Sequence, residues 1–363
     1  MSDHTASQRG TRILISAAAL VIIIFVVHQA ESVVALFVWS VFIALLGVPP
    51  VLWLKRKRVP PFPAVLLVMT CMIALLLILG GVLGASLSTF SNALPSYQKQ
   101  LQEQVLALKP MLASKHLAVT DKVLLEYLNP APVMDMAVGL LAGMGLALSQ
   151  ILLVLLAATF ILLEASSFPI KLRAFLGNPH QVFPQFTTFM RDIERYMVIK
   201  TLVSLATGIL VALWLTVLGV DSPILWGFLA FLLNYVPNVG SAVAAIPAIL
   251  LALVQFGIGR AAIVGAGYLV INFVLDDFIE TKLMGHRLGL STLVVFLSLL
   301  FWGGMLGPVG MVLCVPLTMT LKFACENYKS TEWIAVLLGP GNPAENVPTG
   351  SAKARKKGIV RGQ

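Results

Sequence analysis

Val33-VALFVWSVFIALLGVPPVLW-Leu54 runs straight into Lys55-Arg-Lys-Arg58 and then Val59-Pro-Pro-Phe-Pro63. The first part has no charge and is long enough, as a helix, to cross a hydrocarbon layer of about 30 Å. The four basic residues cannot follow it into lipid, and three prolines cannot continue a helix. The stretch therefore reads as a membrane helix ending at a turn on one membrane face.

Further apolar runs flank it, namely Ile13–Val27, Ala64–Leu87 and Val138–Leu163. The whole chain is 58% apolar and 11% charged, with a mean hydropathy of +0.93. A soluble domain has about 25% charged residues. Only helices or closed barrels satisfy the backbone in lipid, and runs this long are not the short alternating segments of a barrel. The expected fold is an all-α polytopic membrane protein.

The net charge of +9 does not point to nucleic acid, because the basic residues lie between the spans. If the N-terminus is cytoplasmic, 20 of the 25 Lys and Arg fall inside. Lys99, Lys109, Lys115, Lys122 and Arg260 fall outside. That asymmetry is the usual signature of orientation. It predicts a bacterial inner-membrane protein with both termini in the cytoplasm. The first run has a basic start but no small-residue cleavage site, so it is read as a retained span. Cys71, Cys314 and Cys325 show no CxxC spacing and read as small buried side chains.

The chain divides into a three-span region (1–87), an extracytoplasmic amphipathic segment (88–137), and a fourth span with a cytoplasmic amphipathic helix (138–200). A transport core (201–325) and a basic cytoplasmic tail (326–363) follow. Within the core, a fifth span, Thr201–Val220, precedes two short apolar pieces, Ile224–Leu233 and Ser241–Phe256. Asn234-Tyr-Val-Pro-Asn-Val-Gly240 separates them. A sixth span, Ala261–Ile279, precedes Leu290–Trp302, the break Gly303-Gly-Met-Leu-Gly-Pro-Val-Gly310, and Met311–Leu321. Each second piece carries an internal proline, Pro247 or Pro316. The pattern predicts about six full spans and two re-entrant hairpins, related as an inverted repeat and entering from opposite sides. Gly-, Pro- and Asn-containing breaks at corresponding positions point to a transport site. The hinges would be Pro237, Gly240, Pro247, Gly303, Gly304, Gly307, Pro308, Gly310 and Pro316. Simple kinks in full spans would give the same composition.

The stretches Asn234-YVPNVGSAVAAIPAILLAL-Val254 and Glu280-TKLMGHRLGLSTLVVFLSLLFWGGMLGPVGMVLCVPLTM-Thr320 resemble the autoinducer-2 exporter family of bacterial membrane proteins. Ile193-ERYMVIKTLVSLATG-Ile209 is similar to that family's helix leading into the fifth span. The sequence departs from the pattern at Thr281, where many members carry proline, and in placing Pro308 inside the glycine-rich break. The resemblance implies a homo-oligomeric transporter. Some members export a small polar signalling molecule and others exchange sodium or lithium for protons.

Candidate path residues follow from the residue types. Asn272, Asp276 and Glu280 stand at i, i+4 and i+8 on the sixth span, with Asp277 adjacent. An ionisable group in a span is a functional candidate by default. These acids could carry a coupling proton or sodium ion, or could mark the end of the span by pairing with Lys282 and Arg287. Asn234, Tyr235, Asn238 and Ser241 of the first break would offer neutral hydrogen-bonding groups to a small polar solute, or could serve the turn alone. There is no phosphate-binding loop, zinc-protease motif or nucleophile elbow, so neither ATP-driven transport nor an enzyme is expected. No cofactor or metal is expected either. The expected partners are membrane lipids, the solute, a coupling ion and further copies of the chain. A membrane scaffold is the other reading, but it has no use for two broken helices carrying Asn.

A reporter fused after Lys57 or at the C-terminus should be cytoplasmic, and one inserted at Ser114 external. An internal Ser114 would overturn the orientation from the third span onward.

Overall fold

The computed structural model describes residues 25–113, 151–164, 179–237, 239–284, 289–326 and 331–339, with Ile15, Ala18, Ala19, Val21, Ile22 and Gly139. All regular structure among these residues is helical. Helix α1 spans Glu31–Arg56, α2 Pro61–Ala113, α3 Ile151–Glu164 and α4 Pro179–Leu218. Two shorter helices, α5 (Pro223–Leu233) and α6 (Gly240–Phe256), follow. Helix α7 covers Ile258–Met284, α8 Thr292–Glu326 and α9 Glu332–Leu338.

Five of these helices are long and apolar enough to cross a membrane, by length and composition. They are α1, α2 to Tyr97, α4 from Phe186, α7 and α8. The outward sides of α1, α2, α4 and α7 expose large apolar residues such as Phe37, Leu77, Leu213 and Leu269, as lipid-facing helices do. The expected first span is described only in part, and α3 is the helix described in the fourth.

Helix α8 is not a straight span. Gly307 has φ 59° and ψ −144°, a conformation open essentially only to glycine. The Trp302 indole N–H donates to Thr318 Oγ1 at 3.0 Å. In a straight helix those residues would lie about 24 Å apart. The chain therefore folds back at Gly307–Pro308, and the arms 292–306 and 308–326 form a hairpin. Gly303 faces the Met311 side chain and Gly310 the Trp302 carbonyl, so both glycines let the arms close. Gly304 is helical with open space around it. It serves neither the turn nor the packing expected of it.

The first hairpin is α5–α6, with its tip at residues 234–239. Gly240 abuts the Leu233 carbonyl much as Gly310 abuts that of Trp302, so the two breaks close in the same way. Pro247 and Pro316 lie within continuous helix and are not the hinges. Helices α4 and α5 cross at Gly208 and Gly227. A Cβ on either would stand 2.6–2.7 Å from the other's carbonyl oxygen, so the two backbones touch.

The hairpins enter from opposite sides. At the base of the first, Tyr97 of α2 donates to Asp221 Oδ2 at 2.6 Å and accepts from Gln255 Nε2 at 3.4 Å. Trp226 Nε1 donates to the Asp221 carbonyl at 3.0 Å, and Phe90 packs edge-on against the Trp226 ring. That base lies at the end of α2 away from Lys55–Arg58. The second hairpin starts after Met284, at the opposite end of α7, and its tip places Gly307 beside the Glu31 carboxylate. Helix α9 docks at its base, where the Ser291 N–H donates to the Leu338 carbonyl at 3.3 Å.

Two expected boundaries fall inside helices. The segment expected to lie on the outer face from residue 88 instead continues α2 without a break to Ala113. It packs on the first hairpin through the buried Phe90 and Tyr97. The helix expected to end at Lys200 likewise continues into the fifth span as α4. No helix breaker separates Gln185 from Thr207, so neither chain direction nor hydrogen bonding changes at Lys200. Residues 114–137 of the expected outer segment, and 327–330 and 340–363 of the expected tail, are outside the described residues.

Replacing Gly307 by Ala should destabilise the protein by about 1–3 kcal/mol, read as a lower melting temperature in detergent. Gly304→Ala, in open helix, should leave it unchanged or slightly raised. Equal effects at both positions would remove Gly307 as the hinge.

Candidate functional site

The site forms where the first hairpin's tip meets α4 and α7. Asn234, buried at the end of α5, donates through Nδ2 to Ser204 Oγ of α4 at 3.2 Å. Tyr235 donates through its hydroxyl to Thr201 Oγ1 at 2.9 Å. These bonds hold the tip against α4, one turn beyond Lys200.

Helix α7 changes geometry at this level. Residues Phe273–Glu280 form a π-helix, not the regular α-helix on which the i, i+4, i+8 stacking was argued. π-Helical turns are rare and gather at functional sites. Asn272, Asp276 and Glu280 nevertheless face one cavity, because a wider turn still returns nearly to the same face every four residues.

Lys200 is the residue that sequence reasoning missed. It was read as a charge of the cytoplasmic segment, yet it is 5% exposed. Its ammonium donates to both oxygens of Glu280, at 2.9 and 3.0 Å. Glu280 therefore pairs with Lys200 and not with Lys282, which stands over the Phe278 ring. Arg287 lies outside the described residues. The available signal was the uninterrupted helix through residue 200. A lysine inside a continuing membrane helix needs a carboxylate partner.

Together these elements enclose a cavity of about 450 Å³, a volume that suits a small ligand. Asn234, Pro237, Ser241, Asn272, Asp276, Asp277, Glu280, Lys200 and Tyr196 line it. The second hairpin closes it with Thr292, Val295 and Val315. Elements of both halves of the repeat thus contribute to one wall. Asn272 Oδ1 and Asp276 Oδ1 are buried there without a hydrogen-bond partner. Two desolvated acceptors one turn apart are unusual, since buried polar groups are normally paired. Asp277 is exposed at the cavity's edge. Asn238 lies outside the described residues. Gly240, Pro247, Gly303, Gly304, Gly307, Pro308, Gly310 and Pro316 are not among the lining residues.

A cavity of this kind can bind a small polar solute or an ion, but among the described residues no group of three or more His, Cys, Asp or Glu could hold a metal.

Comparison with known proteins agrees. The profile of the AI-2E family transporters matches residues 14–330. The AI-2 transport protein TqsA of Escherichia coli (strain K12) is 39% identical over 342 residues, covering 94% of this chain and 99% of its own. YhhT of the same strain is 37% identical over 348 residues, covering 96% and 100%. A Haemophilus influenzae protein is 37% identical over 334 residues, covering 90% and 96%. A helical chain that is long and apolar enough to cross a membrane several times, with a polar cavity between two folded-back helix pairs, thus carries a transporter family's sequence along nearly its whole length: it is a multi-pass membrane protein and belongs to the AI-2E family of transporters.

Proposed function

We propose that this protein is a secondary carrier of the bacterial inner membrane, exporting a small polar solute by alternating access. The observation that carries this is the single cavity that gathers Asn234, Ser241, Asn272, Asp276, Glu280 and Lys200 from four helices. Broken helices in corresponding positions of two inverted halves are the usual builders of such sites. In this reading Asn234, Ser241 and Asn272 bind the solute. Asp276 and Glu280 form the coupling element, and Lys200 is the resident counter-ion of Glu280.

The name of the relative TqsA gives autoinducer-2 as the type of solute to try first. Sodium- or lithium–proton antiport is the second reading. It is favoured by the Lys200–Glu280 pair beside the unpartnered Asp276 oxygen, because a cation entering there would compete with the ammonium for carboxylate. A scaffold role has no use for this cavity.

Orientation follows from the charge asymmetry, with Lys55–Arg58 on the cytoplasmic face. The cavity's lining includes Tyr196, Met284 and Leu290, close to where α7 joins the second hairpin. The opposite end is occupied by the buried cluster of Phe90, Trp226, Leu229 and Leu251.

Flux of autoinducer-2 and of sodium should be measured in proteoliposomes. Asn272→Leu should abolish solute flux in a well-folded protein, whereas Asp276→Asn should leave solute flux measurable and remove its proton or sodium dependence. Wild-type flux and ion dependence in both variants would refute the site.

Lys200→Met should lower stability by about 3–5 kcal/mol, because it leaves a buried carboxylate unpaired. Adding Glu280→Gln should restore much of that stability without restoring ion coupling. Melting curves in detergent and ion-dependent flux report the two effects separately.

A further inference from the structure

The polar groups of the cavity are not balanced. Among the described residues its one buried cation, Lys200, is taken up by both oxygens of Glu280. The Asn234 amide gives one N–H to Ser204 and also faces the Asp276 carboxylate, and the Thr281 hydroxyl donates back to the Asp276 carbonyl at 3.4 Å. The Ser241 and Thr292 hydroxyls can act either way. Two oxygens that line the cavity, Asn272 Oδ1 and Asp276 Oδ1, are buried with no hydrogen bond of their own.

Charge points in the same direction. Among the described residues one enclosed ammonium faces two enclosed carboxylates, those of Asp276 and Glu280, with Asp277 exposed at the edge. Protonating one of the two brings that balance to neutral and never to positive. The basic residues at the mouth do not reverse it. Arg195 is exposed and bound to the Leu283 carbonyl, and Lys282 is exposed over Phe278. Solvent and salt screen charges so placed.

We propose that the cavity selects solutes that donate hydrogen bonds and carry no net negative charge, and that it rejects carboxylated and phosphorylated ones. This rests on the reading of the cavity as the carrier's binding site and narrows its substrate class. A hydroxyl- or amine-bearing solute satisfies the two orphan acceptors. An anion would lose its hydration and find no free cation among the described lining residues in exchange, the least favourable way to bury a charge. A phosphorylated form of a neutral solute would therefore be retained while the parent form passes.

Charge-graded thiol labelling tests this without a known substrate. A single cysteine is placed at Ser241 after Cys71, Cys314 and Cys325 are replaced by alanine. Its reaction rates are measured with neutral hydroxyethyl, cationic trimethylammonium-ethyl and anionic sulfonatoethyl methanethiosulfonates. Each rate is divided by that of free 2-mercaptoethanol in the same buffer. The cationic-to-anionic ratio should be about tenfold or more, as expected for a nearby uncompensated carboxylate. Asp276→Asn should lower the ratio severalfold. Asp277→Asn, at an exposed position that tolerates change, should lower it as well. A ratio near unity with normal neutral labelling would overturn the selectivity and leave the carrier reading standing. A cysteine inert to the neutral reagent would overturn both.

Discussion

A lysine ammonium in a membrane helix has few ways to exist. It can reach the interface, lose its proton or find a carboxylate, and Lys200 has found one in Glu280. Because both groups are almost wholly enclosed, neither can be removed without stranding the other. The pair sets how closely α4 and α7 approach and at what height. It also brings the π-helical stretch of α7 against the first hairpin's tip, so that Asn234, Asn272 and Asp276 share a cavity. Without it, the acidic stripe would face either lipid or an uncompensated interior.

The large-scale fold was legible because it depends on quantities a sequence displays directly. Runs such as Val33–Leu54 give span length, and Lys55–Arg58 marks a face. The two Gly/Pro breaks gave the folded-back pairs, since a chain that loses helical hydrogen bonding there must regain partners from a neighbouring arm. The location of the hinge within the second break was less legible. Four glycines compete in Gly303–Gly310, and only the backbone shows that Gly307 turns while Gly303 and Gly310 pack.

The site was half legible, for a different reason. Asn234, Ser241, Asn272, Asp276, Asp277 and Glu280 were singled out by being polar where polarity is unfavourable, and they do share one cavity. Lys200 escaped because it stands at the end of an apolar run, where composition alone cannot tell a membrane interface from a helix continuing inward. The π-helix escaped because an added residue per turn alters hydrogen bonding without altering residue type. Helices α2 and α4 run on through residues 88 and 201, for a change in hydropathy is not a change in backbone direction.

The backbone contact of Gly208 with Gly227 bears on mechanics. Two helices whose main chains touch, with no side chains between them, have almost no freedom to slide or roll. The Asn234–Ser204 and Tyr235–Thr201 bonds pin the same pair further along. Parting α4 from the first hairpin would open a cleft along main-chain surfaces and break two hydrogen bonds, each worth about 0.5–1.5 kcal/mol net. The two therefore behave as a single stiff unit. The cavity lies beside this unit, bridged at its wall by the Lys200–Glu280 ion pair.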